Sequence, residues 1–185
     1  LVGADAFRIQ HAAVDLLVQP PVDEHWLSEE NWKKTAKWVG YLPLALRILH
    51  TSLGDHYLSA DTLMKKVNGE EPAIALDEEV DSIKEEVAEG YVRSIAELFH
   101  FSFEALRSYA QAFRMLKTLS QIAVAPVPEK LLLLGCEQRD LGILLKRSWI
   151  NVSEDPKDPA ARQYSLHRIT ASYVKGNSAA ADFIF

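Results

Sequence analysis

Six histidines, at positions 11, 25, 50, 56, 100 and 167, one cysteine and a proline set in an apolar run are the residues through which this sequence could do chemistry. Metal ligation needs imidazoles and carboxylates gathered on one face, and no such spacing is present; His50 and His56, six apart, fall on different faces of a helix. Cys136 sits in "LLLLGCEQRDLGILL", mostly among aliphatic neighbours, which suits a small core hydrophobe better than a nucleophile. A lone cysteine also excludes an intrachain disulfide and fits a reducing compartment. The phosphate-loop pattern G-x-x-x-x-G-K-[ST], the dinucleotide fingerprint G-x-G-x-x-G, H-E-x-x-H and G-x-S-x-G are all missing. The chain is therefore not expected to be an enzyme by itself. The proline is Pro43, in "WVGYLPLALRILH". Inside a helix it would cost about 3 kcal/mol, whereas at the first helical position its absent N–H has no partner to lose. Pro43 is thus expected to start a helix, with Gly40 ending the one before.

The elements that must hold these residues are mainly helical. The chain has 185 residues, is 48% hydrophobic and carries a net charge of −6, values of a globular protein of one ordinary domain or two small ones. No apolar run approaches the ~20 residues that cross a bilayer, and no secretory signal pattern opens the chain, so a cytoplasmic location without membrane contact is expected. Residues 1–113 hold ten basic and nineteen acidic side chains, a balance of −9, and residues 114–185 hold ten and seven, a balance of +3. Much of the acidity lies in "GEEPAIALDEEVDSIKEEVAEG", Gly69 to Gly90, read as a solvated boundary. The match "NVS" at Asn151 is a glycosylation acceptor in form only, without meaning in a cytoplasmic chain.

Apolar residues recur at helical intervals in "DAFRIQHAAVDLLVQ" (Phe7, Ala13, Val14, Leu17, Val18), and "QPPVDEH" breaks the pattern. Ser28 is placed to cap a helix bearing Trp32, Ala36 and Val39 on one face. Pro43 to Leu53 and "SADTLMKKV", capped by Ser59 or Asp61, make two more. Helical patterning resumes after the acidic run, with interruptions expected near Gly90 and around "HFSF". "APVPEKLLLLGC" pairs a proline-marked turn with a short helix, and "QRDLGILLKRS" makes another. Alternation and β-propensity then place strands at Ser148–Val152 and in "RQYSLHRIT", with "PKDPAA" as the loop between. Helices followed by two strands and a wing give the expected fold: mainly α, a helical bundle domain followed by a winged-helix domain with a small β-wing. The expected bounds are 1–68 for the helical domain, 69–90 for the acidic connection, 91–176 for the winged helix and 177–185 for a tail.

The order of landmarks resembles the C-terminal part of the nucleotide-binding switch of STAND-type ATPases, the NB-ARC class. "VGYLPLALRILH" is similar to the family's Gly-Leu-Pro-Leu-Ala-Leu motif, with Gly40, Leu42, Pro43, Leu44, Ala45 and Leu46 matching and Tyr41 standing between. "FHFSFEALRSYAQAFRMLKTLSQIAVAPVPEKLLL" resembles the segment that opens the family's winged-helix domain, in which a Ser-aromatic-x-x-Leu turn precedes "FRMLKTLSQ". "DLGILLKRSWINV…YSLHRIT" resembles its strand, loop and histidine segment, and the likeness runs from about Ala13 to Val174. It makes residues 1–68 similar to the ARC1 helical domain.

The resemblance implies roles for particular residues. Leu42 and Pro43 would meet the adenine of ADP or ATP, since a fixed φ and an apolar ring at a helix start suit a flat base. His167 matches the histidine of the family's Met-His-Asp segment, which reaches the β-phosphate of ADP and holds the closed state; the segment reads Leu166-His167-Arg168 here, with Arg168 in place of the acid. It also implies an upstream P-loop domain as partner, attached sensor or effector domains, and nucleotide-dependent oligomerisation. The chain opens at Leu1, in mid-pattern, and reads as a fragment of something longer that would bind nucleotide weakly or not at all alone. The residues leave two alternatives: a winged-helix DNA-binding transcriptional regulator, and a helical protein-interaction scaffold without a ligand. Nucleic acid is the weaker expectation, because "QRDLGILLKRS" offers only Gln138, Arg139, Lys146 and Arg147 to a groove. Basic residues clustered on the exposed face of that helix would favour DNA; a pocket joining Pro43 with His167 would favour nucleotide.

Overall fold

A computed structural model describes residues 2–70, 80–81, 83–122, 125–156 and 158–178. Residues 71–79 and 82 of the acidic stretch expected at 69–90, and residues 179–185 of the expected tail, lie outside the described residues, as does the side chain of Phe7. Four helices come first: α1 (Val2–Leu17), α2 (Glu29–Trp38), α3 (Pro43–Gly54) and α4 (Ala60–Val67). Their starts are set by the residues expected. Ser28 Oγ accepts from the Asn31 N–H at 3.3 Å, Ser59 Oγ from the Thr62 N–H at 3.1 Å, and Pro43 is the first residue of α3. Trp32, Ala36 and Val39 are all buried, as their spacing on α2 demands.

Two longer helices follow, α5 (Val92–Leu106) and α6 (Ala110–Ile122), then the short strand β1 (Val127–Pro128), α7 (Glu129–Leu132) and α8 (Gln138–Lys146). The hairpin β2 (Asn151–Asp155) and β3 (Asp158–Ser165) leads into α9 (Arg168–Ser178). The strands form an antiparallel sheet in the order β1-β3-β2, in which Tyr164 lies opposite both Val127 and Val152. The fold is mainly α with a small β element, as expected, and from α6 to β3 the elements run in the order of a winged helix.

One cluster of buried apolar side chains runs from Ala13 to Val174 without a break between the earlier and later helices. Its aromatic centre is Phe99 and Phe103 of α5, Trp149 and Tyr173 of α9, with ring centroids 5.1 to 5.8 Å apart from Phe99 to Tyr173, Phe99 to Trp149, Phe103 to Trp149 and Phe103 to Tyr173. These rings bring α5, the α8–β2 turn and α9 to one point. Cys136 is buried, and its thiol donates to the Leu132 carbonyl at 3.3 Å; burial raises its pKa, and Asp140 adds to the effect, so it behaves as core.

Several expectations are corrected in detail. "HFSF" lies inside α5, whose buried Phe99, Ser102 and Phe103 hold the helix unbroken, and the chain turns later, between Leu106 and Ala110. Ser102 to Leu106 is thus the last turn of a helix rather than a turn before the next. A third strand, Val127–Pro128, was concealed by its two-residue length. Trp149 and Ile150 precede β2 and are buried in the core, so their β-propensity reports burial. Asp158 to Ala161, expected as loop, belongs to β3, and that strand stops at Ser165, where α9 is about to start.

Candidate functional site

"WVGYLP" turns the chain between α2 and α3 by backbone hydrogen bonds alone. Gly40 has φ +63° and its N–H donates to the Lys37 carbonyl at 2.9 Å, while the Tyr41 N–H donates to the Ala36 carbonyl at 3.0 Å. These are the paired bonds of a Schellman ending, in which a left-handed residue just past the helix satisfies its last carbonyls. A side chain at Gly40 would bring its Cβ to 2.8 Å from the Tyr91 ring, so the position requires glycine twice over. Leu42 then caps α3 through its carbonyl, which accepts from the Leu46 N–H at 3.0 Å, and Pro43 occupies the first helical position with its ring exposed. The local reading of Pro43 as a helix starter is satisfied in full, and its exposed ring face is left over.

That face borders a cleft of about 240 Å³. One wall is the start of α3, with Leu42, Pro43, Leu44 and Arg47; the other is Ser148 from the α8–β2 turn, Asn151 at the start of β2, and His167 from the corner between β3 and α9. Leu42, Pro43 and His167, which no local pattern connects, therefore share one cavity. His167 caps α9: its carbonyl accepts from the Ala171 N–H at 2.9 Å and its Nδ1 accepts from the Ile169 N–H at 3.3 Å. With Nδ1 accepting, the proton of the neutral ring sits on Nε2, leaving that nitrogen as a donor. Leu166 and Ile169 on either side are buried at 3% exposure, so the exposed imidazole is held on a fixed piece of backbone.

Arg168 turns away from this pairing of roles. Its Nη2 meets Glu86 Oε1 at 2.8 Å, tying the start of α9 to the last part of the acidic stretch. Arg168 therefore has a partner of opposite sign among the described residues. Arg47 was not singled out from sequence, although it lies one helical turn after Pro43 and on its face. Among the described residues its guanidinium forms no hydrogen bond or ion pair and no carboxylate lines the cleft. Ser148 and Asn151 carried no sequence signal of their own. Ser148 adopts φ +58° at the end of α8, where its N–H donates to the Leu145 carbonyl at 2.9 Å and that of Trp149 to Leu144 at 2.9 Å.

The helix that would enter a DNA groove is α8, and its basic residues do not form an exposed cluster. Lys146 Nζ lies 2.7 Å from Asp55 Oδ1, and Arg147 is buried, with its guanidinium over the rings of Tyr57 at 4.3 Å and Tyr109 at 5.0 Å. Gln138 donates to Glu129 at 3.1 Å, which leaves Arg139, of the four side chains counted from sequence, as the one without an ion pair or hydrogen bond among the described residues. Among the described residues no group of histidine, cysteine and carboxylate side chains could hold a metal ion, and no helix is long and apolar enough to cross a membrane. No protein-family model, curated protein or solved structure matches the chain.

Proposed function

We propose that this chain is the regulatory part of an ADP/ATP-controlled signalling switch of the STAND or NB-ARC kind, contributing adenine and phosphate contacts to a site completed by a P-loop domain. The observation that carries the reading is the single cleft lined by Leu42, Pro43 and His167. The exposed proline ring and the Leu42 side chain offer an apolar face for a base, and Nε2 of His167 and the Arg47 guanidinium offer donors to phosphate oxygens. Among the described residues no carboxylate lines the cleft, which suits an anion. At about 240 Å³ the cleft is smaller than the roughly 300–1,000 Å³ of pockets that enclose a ligand of that size, as expected of half a site.

Bound between the two parts, the nucleotide supplies phosphate charge that favours the closed arrangement. The chain's own residues do the discriminating. His167 is held by the α9 backbone, so its donor reaches the phosphate only while α9 is docked against the partner domain. A contact made in one state and lost in the other is the differential affinity that a population shift requires.

The test uses the complete protein with its upstream domain. His167→Leu is expected to lower the ADP retained through purification and raise basal activity, and Pro43→Ala to weaken nucleotide binding with the winged helix still folded. Unchanged nucleotide content in both variants would remove the assignment, and loss of the whole fold in Pro43→Ala would return Pro43 to a structural role.

A further inference from the structure

Three of the described non-glycine residues hold φ near +60°, the left-handed region that costs an L-residue free energy and that glycine enters readily: Tyr41 at +57°, His56 at +59° and Ser148 at +58°. Two of them have a side-chain reason within the fold. Tyr41 packs against the buried core, and the His56 ring centre lies 6.0 Å from that of Trp26. Ser148 has no such reason. It follows the C-cap Arg147 of α8, where glycine is the common occupant, and its N–H bond to the Leu145 carbonyl is one that glycine would make equally well. Its half-buried side chain forms no hydrogen bond among the described residues. What serine adds over glycine is a hydroxyl at the wall of the Pro43 and His167 cleft, which Ser148 lines.

The polar side chains of that cleft are of two kinds. The Arg47 guanidinium and Nε2–H of a neutral His167 only donate, which suits phosphate oxygens. The Ser148 hydroxyl and the Asn151 amide both donate and accept, which suits a neutral group that does the same, such as a sugar hydroxyl. Both stand on the wall that carries His167, across from Pro43. A nucleotide with its base on the proline ring and its phosphates at His167 has its sugar in between. The backbone that presents the two residues is fixed: Trp149 and Ile150, which separate them, are buried at 0% and 2% exposure, and Asn151 is paired with Ser165 across the sheet.

We propose that Ser148, with Asn151 beside it, is a specificity-determining contact to the ribose hydroxyls of the bound nucleotide, so that the cleft selects a ribonucleotide over its deoxy counterpart. The inference rests on the nucleotide reading of the cleft. The backbone strain kept at Ser148 is then offset by the ligand rather than by the fold. Stability and binding should therefore respond in opposite directions when serine gives way to glycine.

The experiment is isothermal titration of the complete protein, stripped of nucleotide, with ADP, 2′-deoxy-ADP and 3′-deoxy-ADP. Wild type is expected to bind at least one deoxy analogue roughly tenfold more weakly than ADP, the effect of one hydrogen bond. Ser148→Gly should lose roughly tenfold for ADP and no longer distinguish that analogue, so that the two losses do not add. Ser148→Ala, which keeps the Cβ, should lose the same discrimination. In the 185-residue chain, Ser148→Gly should melt about 2 °C higher, since glycine relieves the left-handed φ. Wild-type ADP affinity in Ser148→Gly, an unchanged ratio of ADP to deoxy affinity, or a lower melting temperature would each overturn the inference, even where His167→Leu weakens binding. Unchanged ADP binding in both Ser148→Gly and His167→Leu would instead remove the nucleotide reading, and this inference with it.

Discussion

The imidazole of His167 closes the first turn of α9 through Nδ1 and leaves Nε2 to the cleft, so its replacement removes a cap as well as a donor. A cap is worth about 1 kcal/mol, and His167→Asn, which can cap as well, separates the two roles: stability should stay while nucleotide retention falls. Three residues on, Thr170 is fully buried and its hydroxyl has no hydrogen-bond partner among the described residues. A hydroxyl left unpaired in a core costs about 1 kcal/mol or more, and valine keeps the shape without it. Thr170→Val is therefore expected to raise the melting temperature by roughly 2–4 °C, read by differential scanning calorimetry. A lower melting temperature would show that the hydroxyl is satisfied in solution.

Between elements, the joint that holds α8 to the α3–α4 turn is built on charge and rings. Arg147 lies between Tyr57 and Tyr109, bonds to the Tyr57 hydroxyl and stands 3.7 Å from Asp55, with its side chain only 5% exposed. The phenols meet at 3.4 Å; their shared hydrogen bond raises the Tyr57 pKa and lowers that of Tyr109, to which the arginine charge adds. Arg147→Leu is expected to cost about 2 kcal/mol in urea unfolding, because Asp55 loses one of its two cations and the ring stack its guanidinium. Arg147→Lys should recover only part, since an ammonium lacks the planar face. At the sheet, the Tyr164 hydroxyl donates to Glu129 Oε1 at 2.8 Å, and this bond, followed by that from Gln138, lowers the Glu129 pKa from 4.5. A carboxylate depressed on folding adds stability above its unfolded pKa and loses it as the pH falls through the folded one. Glu129→Gln should thus flatten the fall in melting temperature below pH 4.5 and change little in its slope above.

For the molecule as a whole, the expected behaviour follows from the size and openness of the Pro43 and His167 cleft. Its two short walls offer Arg47 and His167 as donors and Pro43 as an apolar face, and it buries too little to hold a nucleotide unaided. Isothermal titration of the chain alone with ADP should give a weak or undetectable signal, and the complete protein a strong one. Tight binding of ADP by the chain alone would mean that its own surfaces complete the site. The continuous core from Ala13 to Val174 predicts a further property: the earlier and later helices should unfold in one transition, visible as coincident circular dichroism and tryptophan fluorescence melts.

Local physics was enough for the helices whose ends carry their own signals. Ser28, Ser59, Gly40 and Pro43 mark starts and stops through side-chain oxygens, a positive φ and a missing N–H, all properties of one residue and its near neighbours. The same logic failed where burial overrode propensity: Trp149 and Ile150 look like a strand because they are large and apolar, and they are so because they fill the core. It failed again at β1, where two residues pair only because β3 lies beside them. The motifs "GYLPLALR" and "LHR" named Pro43 and His167, yet nothing in their spacing could say that they face one cavity, or that Arg47, Ser148 and Asn151 join them. That meeting is made through α5, against which α3 packs and to which the aromatic cluster of Phe99, Phe103, Trp149 and Tyr173 ties the α8–β2 turn and α9. The amino-acid sequence by itself determined where α2, α3 and α4 begin and which residues line them, because those choices depend on short-range hydrogen bonds and periodicity. Only the tertiary structure decided that Pro43, Ser148 and His167 form one cleft, because that depends on long-range packing that no window of sequence contains.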